Sequence, residues 1–531
     1  MSTTGYSKSP NWYSRFILEP LGLNKENDLV LWLLLLFGGL LLFSFWYSQG
    51  DIWVAFSSVL LMSMVVLTIL RVDYSLYLLL FSVIIFEQFH IQGFDFFISH
   101  VAYFSSTTEI PYSSYFPLDI FSPFELHFLL ICFSTLLMLS LKVGFRWRSI
   151  PVALPFTIFL AIIFAAVVYG TQKSGSVYAV FWESRALLYF MLLYVIVPQI
   201  IQSKRQIRTL FWILIIAISV KTLYLVYWYS RSGYMQADSS LLVGSENSLF
   251  IVTLVIMGIS TIVIKVNDNQ KWVLIGLLPF LLIGCYAVAA EAAYFSLAVS
   301  IGIFCFLIPA AAFKKMILLV SPLLIAVVLY SALFTGNKSG VDLVKGQAKL
   351  ESAWTKVEQF FADIDTKLYE EVKQYKVSEV LEENPFFGTG FGYNTEHKVA
   401  SIDVLTVREK IPQNQSLWLL LKVGVLGLLA FFVLFTTYLI KAVKLLSRVT
   451  DVYLAIVLRV IVIVVVFQLI ILFFEPQLVY YRSMIFLGCL VGMFPAISQM
   501  TFEQAKTANK SKIEKSGLEE RTVSNKITKI F

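Results

Sequence analysis

The sequence predicts an all-α polytopic membrane protein, and three observations carry that expectation. The first is composition: of 531 residues, 58% are hydrophobic and 14% charged, with a mean hydropathy of +0.78. A soluble globular chain carries roughly 25% charged residues, and a chain this apolar has too few polar groups to cover its own surface in water. The second is a series of apolar runs, each long enough to cross roughly 30 Å of hydrocarbon. The third is a strict alternation of basic and cation-poor loops between those runs.

The runs lie near residues 29–48, 52–70, 74–91, 124–141, 151–170, 184–201, 208–229, 247–265, 271–289, 292–310, 315–334, 416–439, 453–474 and 482–500. That makes about fourteen transmembrane helices. The pair between 271 and 310 is separated only by Glu291 in a nearly continuous apolar stretch. The chain accordingly divides into an N-terminal cytoplasmic segment (1–28), eleven spans (29–334), an extracytoplasmic loop domain (335–415), three further spans (416–500) and a basic cytoplasmic tail (501–531). The first segment is polar and interfacial, with Trp12, Arg15 and Phe16, and has no short apolar stretch ahead of a small-residue cleavage site. No removable signal peptide is expected, and the first span itself directs insertion.

Charge orients the bundle. One set of alternate loops holds Arg71; Lys142, Arg146 and Arg148; Lys204, Arg205 and Arg208; Lys265 and Lys271; Lys314 and Lys315; and Lys441, Lys444 and Arg448. The tail adds Lys506, Lys510, Lys512, Lys515, Arg521, Lys526 and Lys529, and suits water or lipid headgroups. The opposite set is poor in cations: the stretch from Gln92 to Pro123 has Asp95, Glu109 and Asp119 and no Lys or Arg. Both termini are therefore expected in the cytoplasm and the 335–415 loop outside. The net charge of +7 belongs to this asymmetry, and no nucleic-acid partner is expected.

Within the long loop, Leu350, Trp354, Val357, Phe361, Ile364, Leu368 and Val372 recur at spacings of three and four. That stripe predicts an amphipathic helix on the outer membrane surface or on the bundle. Asn384-Pro385 ends it, and Phe386-Phe-Gly-Thr-Gly-Phe-Gly392 follows as a tight turn. The three glycines do not make a nucleotide loop, which needs a strand before it and a helix after it. The four cysteines, Cys132, Cys285, Cys305 and Cys489, all lie in apolar runs, which gives no sign of an external disulfide framework. His90, His100, His127 and His397 are too dispersed for a metal site and are expected at interfaces or in loops.

Charges near the expected outer ends of spans are costly unless used or paired. They are Glu183, Arg185, Glu246, Glu291, Glu475 and Arg482, with Arg231 and Arg408 in outer loops. Guanidinium groups offer fixed forks of donors to phosphate and pyrophosphate, so an outward cavity with several Arg would seat a lipid-linked diphosphate. Equally, Glu183 could pair with Arg185 as an interfacial neighbour while Arg482 anchors its helix.

The loop motifs carry a resemblance. Glu383-Asn-Pro-Phe-Phe-Gly-Thr-Gly-Phe-Gly392, then Ile411-Pro-Gln-Asn-Gln-Ser-Leu-Trp418 and Lys422-Val-Gly-Val-Leu-Gly427, resemble the O-antigen ligase and O-antigen polymerase superfamily. Phe181-Trp-Glu-Ser-Arg-Ala-Leu-Leu-Tyr189 is similar to that family's Arg-bearing helix start, and Tyr481-Arg-Ser-Met-Ile-Phe-Leu-Gly488, with Gly492 beyond, to its closing helix. The resemblance covers roughly residues 150–500.

It implies a multi-pass protein of the bacterial cytoplasmic (inner) membrane that transfers an undecaprenyl-diphosphate-linked glycan to an acceptor hydroxyl. The donor linkage supplies the energy, so no metal, nucleotide or other cofactor is implied. Membrane lipid and a chain-length regulator or other assembly protein are the implied partners. Arg185, Arg482 and Arg408 would neutralise the leaving diphosphate beside Glu183, and Asn414 would orient a sugar.

Three markers depart from the family pattern. Gln413 stands where relatives have His, Ala289-Ala-Glu291 where they carry paired Arg, and Gly244-Ser-Glu-Asn-Ser248 where a His motif is frequent. A carboxamide is no general base at neutral pH, so His397 or Glu409 would have to serve in place of Gln413. Two other readings stay open: a transporter or flippase, for which no internal repeat is visible, and an inactive relative that binds a lipid-linked glycan.

Overall fold

The computed structural model describes residues 26–47, 49–50, 52–86, 103, 122–141, 147–174, 177–232, 237–264, 269–287, 291–308, 368–373, 375, 377–392 and 411–527. No strand occurs among them. The helices are α1 (Glu26–Tyr47), α2 (Ile52–Leu70), α3 (Val72–Ile85), α4 (Pro123–Leu141), α5 (Ala153–Ser174), α6 (Val177–Ile200) and α7 (Lys204–Ser232). They continue as α8 (Ala237–Val263), α9 (Asn269–Ala287), α10 (Glu291–Leu307), α11 (Val377–Glu383), α12 (Gln415–Leu446), α13 (Val452–Ile471) and α14 (Tyr481–Ile527). Every expected span but one coincides with a helix; the stretch at 315–334 lies outside the described residues. Among the described residues, seven helices, α4–α7 and α12–α14, are long and apolar enough to cross a membrane.

Two compact units form, Met1–Phe145 and Arg146–Phe531. In the first, Leu76, Leu80, Val83 and Ile84 of α3 are buried, as are Phe124, Phe128 and Ile131 of α4. His127 is buried inside α4, not interfacial or in a loop as expected. Its ring can be buried because both nitrogens are partnered: Nε2 meets Ser75 Oγ at 2.8 Å and Nδ1 meets Tyr103 OH at 3.3 Å.

In the second unit, α6 and α14 run side by side in the same direction. Gly488-Cys-Leu-Val-Gly492 puts two glycines four residues apart on one face, where they meet Phe190 and then Val197 of α6. A methyl group on Gly492 would lie 2.8 Å from Val197 Cβ, so the small residues set how close the two backbones come. Aromatic rings then bind the neighbours: Phe159 of α5 to Phe431 of α12, Phe190 of α6 to Phe435, and Tyr438 to Phe494 of α14. Helix α13 is buried on nearly all sides, which is why it reads as apolar without a polar face. Helix α14 continues unbroken from its apolar part into the basic tail and ends at Ile527.

Of the amphipathic helix expected over 350–372, residues 368–373 are helical and the remainder lies outside the described residues. Val377 and Val380 of α11 bury themselves against Leu417 and Leu421 of α12, with Val372 and Tyr375 packed alongside. The loop thus docks on the bundle through its apolar residues.

Helix α12 is not the continuous rod that its hydropathy predicts. Gly424 adopts φ 68° and ψ −173° and breaks it, roughly 14 Å along from its first residue. A break there frees backbone N–H and C=O groups that lipid cannot satisfy, and the neighbouring loop supplies what is missing.

Candidate functional site

The segment Asn384–Gly392, expected as a turn outside the membrane, is a wedge inserted into the break in α12. Thr389 N–H donates to Leu421 C=O at 2.8 Å, and Gly390 N–H donates to Lys422 C=O at 3.0 Å. On the far side of the break, Val425 N–H donates to Pro385 C=O and Leu426 N–H to Phe386 C=O. The loop and the broken helix therefore complete each other's hydrogen bonds. The wedge also reaches α5, where Phe391 N–H donates to Ala166 C=O at 3.3 Å. Gly390 has φ 79°, and any Cβ on it would sit 2.6 Å from the Gly170 backbone nitrogen. The glycine spacing is thus a packing requirement, with one glycine opposite another.

Glu183 of α6 holds the wedge in place. Its Oε2 accepts the Gly392 N–H at 2.7 Å, and its carboxylate receives Lys422 Nζ at 2.9 Å. Lys422 is the partner of Glu183 and Arg185 is not. This ion pair joins α6, the wedge and α12 at one point, with side chains only 16% and 10% exposed. Lys422 lies in the quoted motif, but its charge was hidden there among apolar neighbours.

Two residues along α6, the Arg185 guanidinium lies 4.4 Å over the Tyr481 ring and 5.8 Å from the Trp182 ring. Aromatic faces hold a guanidinium by electrostatics, which fixes where the Arg185 fork lies. Arg185 is part-exposed. Arg482, next to Tyr481, is fully buried with its guanidinium 5.6 Å over Phe250 of α8. The two arginines expected to act together therefore stand on either side of one helix start, one reachable and one enclosed.

The head of α12 is capped by Asn414, whose Oδ1 accepts from Ser416 N–H at 3.0 Å and Leu417 N–H at 3.1 Å. Its oxygen is committed to the cap, which leaves Nδ2 for any sugar. Gln413 is exposed, and its backbone N–H, like that of Asn414, donates to Glu371. His397, Arg408 and Glu409 lie outside the described residues. Arg231, Glu246 and Glu291 fall within α7, α8 and α10, but their side chains are outside what is described.

The turn between α13 and α14 completes this end of the bundle. Gln415 N–H donates to Leu472 C=O at 2.8 Å, and Phe474 packs edge-on against Phe295 of α10. Glu475 is enclosed there, with Oε2 accepting from Gln477 Nε2 at 3.1 Å. Burial pushes its carboxyl up to about 7, against a partial offset from that Gln477 donor. Among the described residues, no three His, Cys, Asp or Glu side chains come together as a metal site.

The opposite end is built differently. Lys204 Nζ meets Asp451 Oδ2 at 2.6 Å, and Asp451 Oδ1 also caps α13 by accepting from Tyr453 and Leu454 N–H. Arg148 donates to Pro198 and Ile201 carbonyls. A shallow cleft of about 560 Å³ between Lys204, Leu454, Met500 and Glu503 lies there. Its lysine is already paired with Asp451, so it offers an anion little.

Comparison with protein-family models and with curated proteins gives no match. The functional reading therefore rests on the sequence motifs and the geometry of the glycine-wedge end.

Proposed function

We propose that this protein is a surface-polysaccharide polymerase or ligase of a bacterial cytoplasmic membrane. In this reading the chain crosses the membrane about fourteen times, with both termini inside and the glycine-wedge end outside. There it would take an undecaprenyl-diphosphate-linked glycan and transfer it to an acceptor hydroxyl. The observation that carries the reading is the convergence of Arg185, Glu183, the wedge, Asn414 and the start of α14 on one end of one helix group. A scattered set would have argued against it.

The chemistry follows from what each group can do. Arg185, held over two rings, would bind the diphosphate and stabilise the charge that grows on it as the glycosidic bond breaks. The Glu183–Lys422 pair neutralises itself and fixes the wedge, so it would position α6 and not meet the phosphate. Arg482 contributes a fixed positive potential from beneath, since it has no exposed surface. The wedge excludes water from the break and keeps the site rigid.

One observation favours a second reading, a transporter or flippase. Broken helices and ion pairs within a span are features of transport pathways, and α12 has both. Here, however, the break is filled by the chain's own backbone and the pair is closed by Gly392, which supports a scaffold in place of a path.

The test is the surface-polysaccharide gel profile of a deletion strain carrying either the native gene or Arg185→Ala at equal membrane abundance. Restoration of long-chain or conjugated glycan by the native gene, with loss in Arg185→Ala, is the expected result. A deletion that leaves the profile unchanged refutes the transferase reading. Lipid-linked glycan accumulating on the inner face would favour the flippase.

A further inference from the structure

We infer that the wedge is a re-entrant element that dips into the hydrocarbon of the membrane, with Phe386 and Phe387 at its tip in contact with lipid acyl chains. The inference goes beyond the transferase reading and does not depend on it. It needs only that α5 and α12 cross the membrane.

The path of the chain shows the dip. Helix α11 lies along the first part of α12, where Val377 and Val380 cluster with Leu417 and Leu421. Beyond α11 the chain passes the break, since Pro385 and Phe386 C=O accept from Val425 and Leu426 N–H. It then turns back, because Thr389 and Gly390 N–H donate to Leu421 and Lys422 C=O on the near side. Phe386 and Phe387 stand at the bottom of this excursion.

Two helices serve as rulers of its depth. Lys441 Nζ of α12 donates to Pro151 C=O just ahead of α5, so the basic ends of the two helices are level. Basic residues mark an edge of the hydrocarbon. From Lys441, Val425 and Leu426 lie roughly 22–24 Å along α12. On α5, Ala166 accepts the Phe391 N–H and lies roughly 20 Å from Ala153. The hydrocarbon is roughly 30 Å thick. The tip therefore falls short of its far edge by roughly 6–8 Å along α12.

The side chains change with that depth. Glu382 and Glu383, at the end of α11, are exposed, and Pro385–Gly392 carries no charge. Phe386 and Phe387 are 60% and 59% exposed, next to exposed Val425 and Leu426, with Leu429 exposed one turn further on. Two adjacent phenyl rings left in water forgo the gain of burial, whereas acyl chains cover them as they cover the α12 face beside them. The backbone suits the same surroundings. Every N–H from Gly388 to Gly392 has an acceptor on the wedge itself, α12, α5 or Glu183, as lipid requires.

The test is the depth of a nitroxide attached through Phe386→Cys or Phe387→Cys in the full-length protein, reconstituted in phosphatidylethanolamine–phosphatidylglycerol vesicles. Oxygen gathers in hydrocarbon and a nickel chelate stays in water; chelate on both faces removes any dependence on topology. Leu429→Cys, on the exposed face of α12, and Gln413→Cys, exposed ahead of it, are the two references. The native chain, with two cysteines buried and two half-buried, sets the background. The labels at both Phe positions are expected to match the Leu429 reference, relaxed by oxygen and with the nickel effect lost. Nickel access matching the Gln413 reference overturns the inference by placing the tip in water. Low access to both reagents also overturns it, by assigning the tip to a protein contact such as a second copy. In cells, Phe387→Asp is expected to lose folded protein from the membrane while Phe387→Leu keeps it, because a carboxylate is costly in hydrocarbon. Full retention of Phe387→Asp counts against the dip. Neither failure touches the transferase reading, which is tested at Arg185 by the glycan profile.

Discussion

The two ends of the second unit solve the same problem in opposite ways. At the end bearing Asp451, several polar side chains are matched, the buried Tyr194 hydroxyl excepted: Gln270 Nε2 donates to Arg208 C=O and its Oε1 accepts from Tyr453 OH, while Lys204 pairs with Asp451. At the glycine-wedge end a helix is broken, an arginine is buried, and Gln415, Trp418 and Gln468 keep unpartnered polar atoms. An unpartnered buried donor or acceptor costs about 1–3 kcal/mol. Under the proposed function, a polar ligand at the wedge end would offset that cost.

The largest effects should come from the wedge itself. Replacing Gly424 by Val forces a β-branched residue to φ 68° against the Phe386 backbone and should cost more than about 4 kcal/mol, read as loss of folded protein in detergent. Next is the ion pair. Lys422→Met alone leaves Glu183 with one partner fewer in a buried site and should cost about 3–5 kcal/mol. The double variant Glu183→Gln with Lys422→Met should recover much of that in a thermal-denaturation series.

At the matched end, Asp451→Ala removes a cap and an ion pair and should cost about 1–2 kcal/mol, with the glycan profile unchanged. Burial alone would raise the Asp451 carboxyl, but the Lys204 ammonium and the α13 N–H groups outweigh it and hold the carboxyl below its ordinary value. The stability it contributes is therefore present above the unfolded value of 3.8 and is lost as pH falls below that value.

Glu475 has the opposite sign. Its carboxyl sits at about 7 in the fold against 4.5 unfolded, so the fold prefers the protonated form. The melting temperature should decline as pH rises from 4.5 to 7, and Glu475→Gln should flatten that decline. A slope unchanged in Glu475→Gln would place the titrating group elsewhere.

The helices were legible in the sequence because lipid imposes one rule, about 20 apolar residues per crossing, and α4–α7 and α12–α14 obey it. Arg185, Glu183, Glu475 and Arg482 were legible as charges in apolar surroundings. The break in α12 was not, since Gly424 in an apolar run looks like any glycine in a membrane helix. Nor was the Glu183–Lys422 pair, whose members are 239 residues apart. The burial of His127 depended on Ser75 and Tyr103, partners distant in the chain. Gln468 gave no signal at all, because its importance lies in the absence of a partner.

The central claim is that the wedge end carries unmet polar groups for function while the opposite end uses its polar groups for stability. Measuring the melting temperature and the glycan product of Gln468→Leu beside Gln270→Leu tests it most directly. Gln468→Leu should raise the melting temperature, since an apolar side chain relieves an unmet amide, and should lower product. Gln270→Leu should lower the melting temperature and leave product per folded molecule unchanged. If Gln468→Leu destabilises the protein as Gln270→Leu does, and product per folded molecule stays at the native level, the two ends are alike and the account is wrong.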